Sequence, residues 1–223
     1  MPLAGKGMLL TSMDIDAADE ADFNRWYDQE HLAERVAIDG FLEARRYLAC
    51  NGSPKYLCLY STATFEVLDS PAYRDRLAHP TDWSKTTLAR FQNMIRAVAR
   101  ITVSRGHGRG AVLGIVRLRP QGGTEDQLRI ELALKLDPEG LDGIISMHLI
   151  ESDARLSGPT PELPAADGAS DWFVLIDATA ARAVSALISA RFESFTAPMQ
   201  PALISSGIYD LMWDLAKSDI ASS

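Results

Sequence analysis

The chain of 223 residues is poor in cysteine and histidine, with two of the first and four of the second. Cys50 and Cys58 are too few to staple a chain of this length, so a disulfide framework is excluded. The histidines, at 31, 79, 107 and 148, show no H-x-x-x-H spacing, which argues against a structural zinc site. Nucleophile signatures are missing as well. There is no G-x-S-x-G, and Cys58 lies in an apolar, strand-like run where a thiol is normally inert. Gly106-His-Gly-Arg-Gly110 lacks the G-x-x-x-x-G-K phosphate loop and precedes a strand rather than a helix, so it reads as a linker. No apolar run approaches the ~20 residues that span a bilayer. The first ten residues hold one lysine and no small-residue cleavage site, and a soluble, cytoplasmic protein is the expectation.

Positive charge is also short, and unevenly so. Residues 1–110 carry 14 basic and 14 acidic side chains, whereas 111–223 carry 8 and 16, so the whole net charge of −8 sits in the second half. Such a chain repels phosphate backbones and anionic lipid, making nucleic acid and membrane surfaces poor partners. With 47% hydrophobic and 23% charged residues it is otherwise an ordinary globular sequence.

What is present is one order of elements, twice. Residues 8–15 read as a strand and 17–37 as a helix that Gly40 terminates. Two strands, 41–50 and 55–63, flank the turn Asn51-Gly-Ser-Pro54, a helical region broken near His79-Pro80 covers 70–95, and a strand covers 97–104. This β-α-β-β-α-β order is the ferredoxin-like unit. It repeats with strands at 111–119, 143–151, 171–178 and 207–215 and helices at 124–136 and 180–194, the longest insertion being a Pro/Gly/Ala-rich hairpin loop over 157–170. The division is 1–106 and 107–223. Strands such as Tyr56–Tyr60 and Trp172–Ile176 are apolar at nearly every position, so both faces should be buried, although two helices per repeat cover only one. The economical solution is an α+β fold in which two tandem repeats close their sheets into a barrel within the chain, with a partly apolar interior where a ligand could sit.

The densest cluster of functional residue types is Phe23-Asn-Arg-Trp-Tyr-Asp-Gln-Glu-His31. At 100° per residue Phe23, Tyr27, Glu30 and Glu34 share a face, with Trp26 and His31 flanking it on opposite sides. A carboxylate within an aromatic stripe needs a cationic partner, and Arg45 or Arg46 on the next strand is the natural one, only one of which can face the helix. One reading makes this pair a structural lock. The other makes His31 a general acid/base oriented by Glu30 and an arginine, with Trp26, Tyr27 and Tyr60 shaping a substrate pocket. His148, which aligns with Arg45 in the other repeat, falls opposite that residue in such a barrel.

Phe23-x-x-Trp26-Tyr27-x-x-Glu30-His31 followed by Gly40-Phe41-x-x-x-Arg45-Arg46-Tyr47, with Pro54-Lys-Tyr-Leu57 and Ser70-Pro-Ala-Tyr73, resembles the EthD-like branch of the dimeric α+β barrel superfamily. The likeness covers residues 8–104; the second half keeps only the order of elements. The resemblance implies one working and one diverged half, with a small aromatic or polyketide-like molecule bound between sheet and helices. It also implies His31 as the acid/base position. Cofactor-free monooxygenases, isomerases, cyclases and dehydratases, haem enzymes and proteins without known catalysis all share the superfamily. The expectation is a cofactor-independent protein acting on a small apolar or aromatic metabolite, monomeric or homodimeric. A non-catalytic ligand-binding or stress-response barrel is the alternative, as is a haem protein ligated through His148 or His31.

Overall fold

Strand β1 (Gly7–Asp14) carries the logic of the fold in alternate side chains: Met8 and Leu10 enter one apolar cluster, Leu9 and Met13 another. In the computed structural model, residues 3–158, 166–193, 195 and 201–220 are described. After β1 come helix α1 (Glu20–Trp26), a π-helical turn (Tyr27–His31) and α2 (Leu32–Ala37), which run on as one helical rod. Strands β2 (Phe41–Asn51) and β3 (Tyr56–Thr62) follow, then α3 (Pro71–Ala78), α4 (Asp82–Leu88) and β4 (Gln92–Gly106). The second half supplies β5 (Val112–Arg119), α5 (Glu125–Lys135), β6 (Ile144–Ser152), α6 (Ala154–Ser157), β7 (Trp172–Ala178), α7 (Ala181–Arg191), β8 (Ala202–Ala216) and α8 (Lys217–Ile220).

The eight strands form one closed antiparallel barrel in the order β1-β3-β2-β8-β5-β7-β6-β4. Each half contributes four strands in the same internal order, β4-β1-β3-β2 and β8-β5-β7-β6, and the seams are β2 against β8 and β4 against β6. The expected α+β barrel, closed within one chain, is the observed architecture.

Strands β4 and β8 each begin five residues before the sequence reading places them, at Gln92 and Ala202. Strand β4 begins at Gln92, inside the expected helix, because residues 92–96 find backbone partners on both edges. Thr11 pairs with Arg96 and Asp14 with Gln92 on one side, and the Asp167 carbonyl accepts from the Arg96 amide at 2.8 Å on the other. Tertiary pairing overrides a helical pattern there. The loop over 157–170 is tied down at both described ends, since Ser157 Oγ accepts from the Val98 amide at 2.8 Å and Asp167 N donates to Met94 O at 2.9 Å. Residues 159–165, and Ser194 at the end of the last expected helix, lie outside the described residues.

The barrel interior does not hold the ligand space expected of it. Met8, Leu10, Leu57, Leu59, Ala97, Leu113, Phe173 and Leu175 fill it, leaving a narrow recess of about 310 Å³ at the Ser12–Tyr209 end. A charged cluster inside the barrel is built on alternation, which turns Arg45 inward and Arg46 outward. Arg45 donates to Asp177 at 3.2 Å, His148 Nε2 lies 3.7 Å from the same carboxylate, and the Gly110 amide donates to it at 3.3 Å. His148 is further held by Ser104 Oγ at 2.7 Å and Ser146 Oγ at 3.0 Å. Burial alone would raise the Asp177 carboxyl, but His148 and Arg45 outweigh it and hold it below the usual carboxylate range. Buried ions at this depth persist only when paired. Asp177→Ala strands the Arg45 guanidinium and should cost roughly 3–5 kcal/mol in urea unfolding. Arg45→Met combined with Asp177→Leu should lose far less than the single change.

Candidate functional site

The helical rod above the first sheet is not a uniform α-helix. Over Tyr27–His31 its hydrogen bonds lengthen to five residues, so that the Leu32 amide donates to Tyr27 O. In an α-helix residues 26 and 31 would point about 140° apart, the opposite sides expected from the sequence. The π turn instead brings them into register, and the Trp26 and His31 rings stack with centroids 4.0 Å apart at 27°. Such single π turns recur at functional sites.

Glu30 has no cation. It accepts from Trp26 Nε1 at 3.2 Å, Thr81 Oγ1 at 2.6 Å and Ser84 Oγ at 3.3 Å, and three neutral donors at a partly exposed position suffice to hold a carboxylate. Thus Glu30 reaches His31 only through the indole. The arginine under the helix is Arg46, fully buried. It donates to Asp28 Oδ1 at 3.0 Å and Asn24 Oδ1 at 2.5 Å and lies over the Tyr27 ring at 4.3 Å. Arg46 therefore clamps helix to sheet, while Arg45 faces the opposite side, inside the barrel.

Between that rod and the outer face of the first sheet lies a cleft of about 580 Å³, counting its open mouth. Leu9, Thr11, Met13, Tyr60, Met94 and Arg96 rise from the strands, and Tyr27, His31, Arg35, Tyr73, Leu77 and Leu88 descend from the helices. Four buried polar atoms on this wall have no hydrogen-bond partner: Thr11 Oγ1, His31 Nδ1, Tyr60 Oη and Arg35 Nη1. Thr11 and Tyr60 sit close enough to Tyr27 to perturb its ionisation or be perturbed by it, yet no hydrogen bond of sound geometry joins them. The Tyr27 hydroxyl donates to Met13 Sδ, at 3.9 Å.

Burial sets the protonation states. It is the main reason that His31 titrates well below its ordinary value, helped by Arg35 and Arg46, so the imidazole is neutral near pH 7. The same desolvation lifts the phenols of Tyr27 and Tyr60 well above theirs and keeps both as donors, and it pushes the Cys58 thiol up to about 11. The site therefore presents a neutral base, phenolic donors and a guanidinium against an apolar wall.

Of the residues singled out in the sequence, Tyr27, His31 and Tyr60 line the cleft. Trp26 and Glu30 stand behind His31, Arg46 buttresses Tyr27, and Arg45 is elsewhere. Sequence reasoning passed over Thr11, Arg35 and Arg96, and named Tyr73 only within the Ser70-Pro-Ala-Tyr73 motif. Arg35 had a readable signal, since it follows His31 by four residues and so shares its helix face.

His148 does not fit as an axial haem ligand, because both ring nitrogens are engaged and the ring is 1% exposed. The His31 ring has one face covered by Trp26, and Tyr27 and Tyr60 approach it edge-on at 5.2 and 6.3 Å between centroids. Among the described residues no three His, Cys, Asp or Glu side chains converge as a metal site.

No protein-family model matches the chain. No curated protein matches it either. Solved structures do, over their whole length. An anthrone oxidase-like protein is similar at a TM-score of 0.63 and 8% identity, covering 97% of both chains. A haem-binding protein from Thermus thermophilus gives 0.54 and 10%, covering 100% of this chain and 96% of that one. A chlorite dismutase from Candidatus Nitrospira defluvii gives 0.55 and 9%, covering 97% and 93%. At such identities the likeness establishes the fold, that of the dimeric α+β barrels.

The depressed His31 and His148 values carry a sign for stability. The unfolded chain takes up these protons first, near the ordinary 6.5, so stability is full above that pH and falls as pH drops below it towards the folded values. Thermal melts between pH 7.5 and 5 should show this slope, and His31→Gln should flatten it.

Proposed function

We propose that this is a small-molecule-binding α+β barrel protein whose cleft takes an aromatic or similarly apolar metabolite, and that His31 is the base of a cofactor-independent reaction there. The carrying observation is the convergence of four unpartnered buried polar atoms on an otherwise apolar wall. Protein interiors satisfy nearly all such groups, and a cluster of exceptions in one cleft marks the place of a ligand. Neutral His31 accepts a proton from a C–H or O–H of the bound molecule. The Tyr60 hydroxyl donates to the oxygen on which negative charge develops. Glu30 acts as a positioning residue, fixing the indole on which His31 stacks. Proton abstraction of this kind suits an isomerase, cyclase or dehydratase, and the substrate-activating step of a cofactor-free monooxygenase.

We further infer that the chain belongs to the EthD-like branch, on its Trp26-Tyr27-x-x-Glu30-His31 helix. We read 107–223 as a diverged duplicate of 1–106. The identical strand order of the two halves supports this, and α5 lacks the aromatic-acid-histidine pattern. A cytoplasmic setting agrees with two unpaired cysteines, and no described helix is long and apolar enough to cross a membrane. The cleft is complete within one chain, so a homodimer would not be needed to build it.

Native mass spectrometry of freshly purified protein should reveal a bound organic molecule or, after screening, one that binds. Leu77→Trp, which blocks the mouth, should abolish that binding. With the substrate in hand, His31→Gln should retain binding and lose roughly 10²–10⁴-fold in turnover. Turnover unchanged in His31→Gln would remove the base from its role and leave a binding protein.

A further inference from the structure

Five arginines are buried among the described residues, and four of them have partners. Arg45 meets Asp177, Arg46 meets Asp28 and Asn24, Arg117 meets Asp171 and Asp167, and Arg96 donates to Leu156 O at 2.6 Å. Arg35 is the exception. It is 6% exposed and lines the cleft, and among the described residues its side chain has neither an ion pair nor a hydrogen bond, with Nη1 fully buried and unmatched. A guanidinium stays charged at any physiological pH, and an uncompensated buried charge is among the costliest features a fold can keep.

The surroundings repeat the imbalance. Among the described residues, the cleft lining contains Arg35 and Arg96 and no aspartate or glutamate, in a chain whose net charge is −8. Glu34, the neighbouring acid, does not line the cleft and pairs with Arg76 at 3.4 Å. The other polar atoms facing the cleft include the Tyr60 and Thr11 hydroxyls, both able to donate. Leu9, Leu88 and the rings of Tyr27 and Tyr73 form the rest of the wall.

We propose that the occupant of the cleft is an organic anion: a flat apolar body bearing a delocalised oxyanion, carboxylate or ionised phenol or enol, whose charged oxygens pair with Arg35 and face Arg96. The inference rests on the reading of the cleft as a ligand site but not on catalysis. It also gives Arg35 a place in the chemistry, because it stands one helical turn from His31. A proton taken by His31 leaves its electron pair on an enolic oxygen beside a fixed positive charge.

The test is isothermal titration with charged and neutral isosteres: 2-naphthoate against 2-naphthamide, and 4-nitrophenolate against 4-nitroanisole. Wild-type protein should bind at least one anion roughly ten-fold or more tightly than its neutral partner, the scale of one charge-assisted pair. The pair showing the larger ratio identifies the preferred head group. Arg35→Met should bring that ratio close to one, and it should leave the Tm of the ligand-free protein unchanged or raised, since it removes an unmatched buried charge. Equal affinities within both pairs in wild-type protein would overturn the anion and leave the cleft reading standing. Binding of none of the four compounds would overturn both. A ratio unchanged by Arg35→Met, or a fall in Tm on that substitution, would assign Arg35 a structural role and equally defeat the inference.

Discussion

Closure of the sheet within one chain governs everything else in this molecule. Because β2 pairs with β8 and β4 with β6, most strands have a face inside the barrel and a face under helices and are buried over most of their length, while β8 is buried only at Gly207–Tyr209. That is why the strands read as continuous apolar runs, and why the few charged residues on them are so constrained. An arginine turned inward must meet an acid, as Arg45 meets Asp177 across the barrel and Arg117 meets Asp171 within its own half. One turned outward must be capped by the helix above, as Arg46 is by Asn24 and Asp28. With the interior packed by side chains from both sheets, free volume survives mainly outside, where helices bridge the sheet imperfectly.

The cleft exists because the helical rod of the first half is interrupted. The π turn advances the chain by one residue, stacks His31 on Trp26, and leaves His31 and Arg35 together on the face that overlooks β1, β3 and β4. Glu30, Thr81 and Ser84 fix the indole from behind. The imidazole is thus held by a ring face, not by a hydrogen bond, which leaves its Nδ1 free of protein partners. Few arrangements orient a histidine while keeping a ring nitrogen available to something else.

Much of this was readable in the residues, for physical reasons. Apolar runs bounded by turn signals located the strands, and their two buried faces implied closure. Alternation separated Arg45 from Arg46, and alignment of the halves placed His148 across from Arg45, where the structure has both on one carboxylate. The rest was hidden for equally physical reasons. A π turn is a single extra residue in a hydrogen-bond ladder and leaves no mark on hydrophobic period, so the helix wheel put Trp26 and His31 on opposite sides. Glu30 called for a cation only so long as neutral donors from α4 were unseen, and those come from 51 and 54 residues away. Asp177 ends a run of apolar residues and gave no sign of its partner, which lies 132 positions earlier.

The seams have a consequence for the chain as a whole. A four-stranded half on its own would end in two raw edges, β2 and β4 in the first half and β6 and β8 in the second, each a row of unpaired amides and carbonyls. The closed barrel consumes all four, so no strand is left to recruit a foreign one, and any association between copies must use helices, loops or the barrel ends. Severing the chain near residue 106 would undo that protection at a stroke. The separated halves would then be drawn to pair with each other, or with their own copies, by the same backbone hydrogen bonds that now lie sealed inside a single molecule.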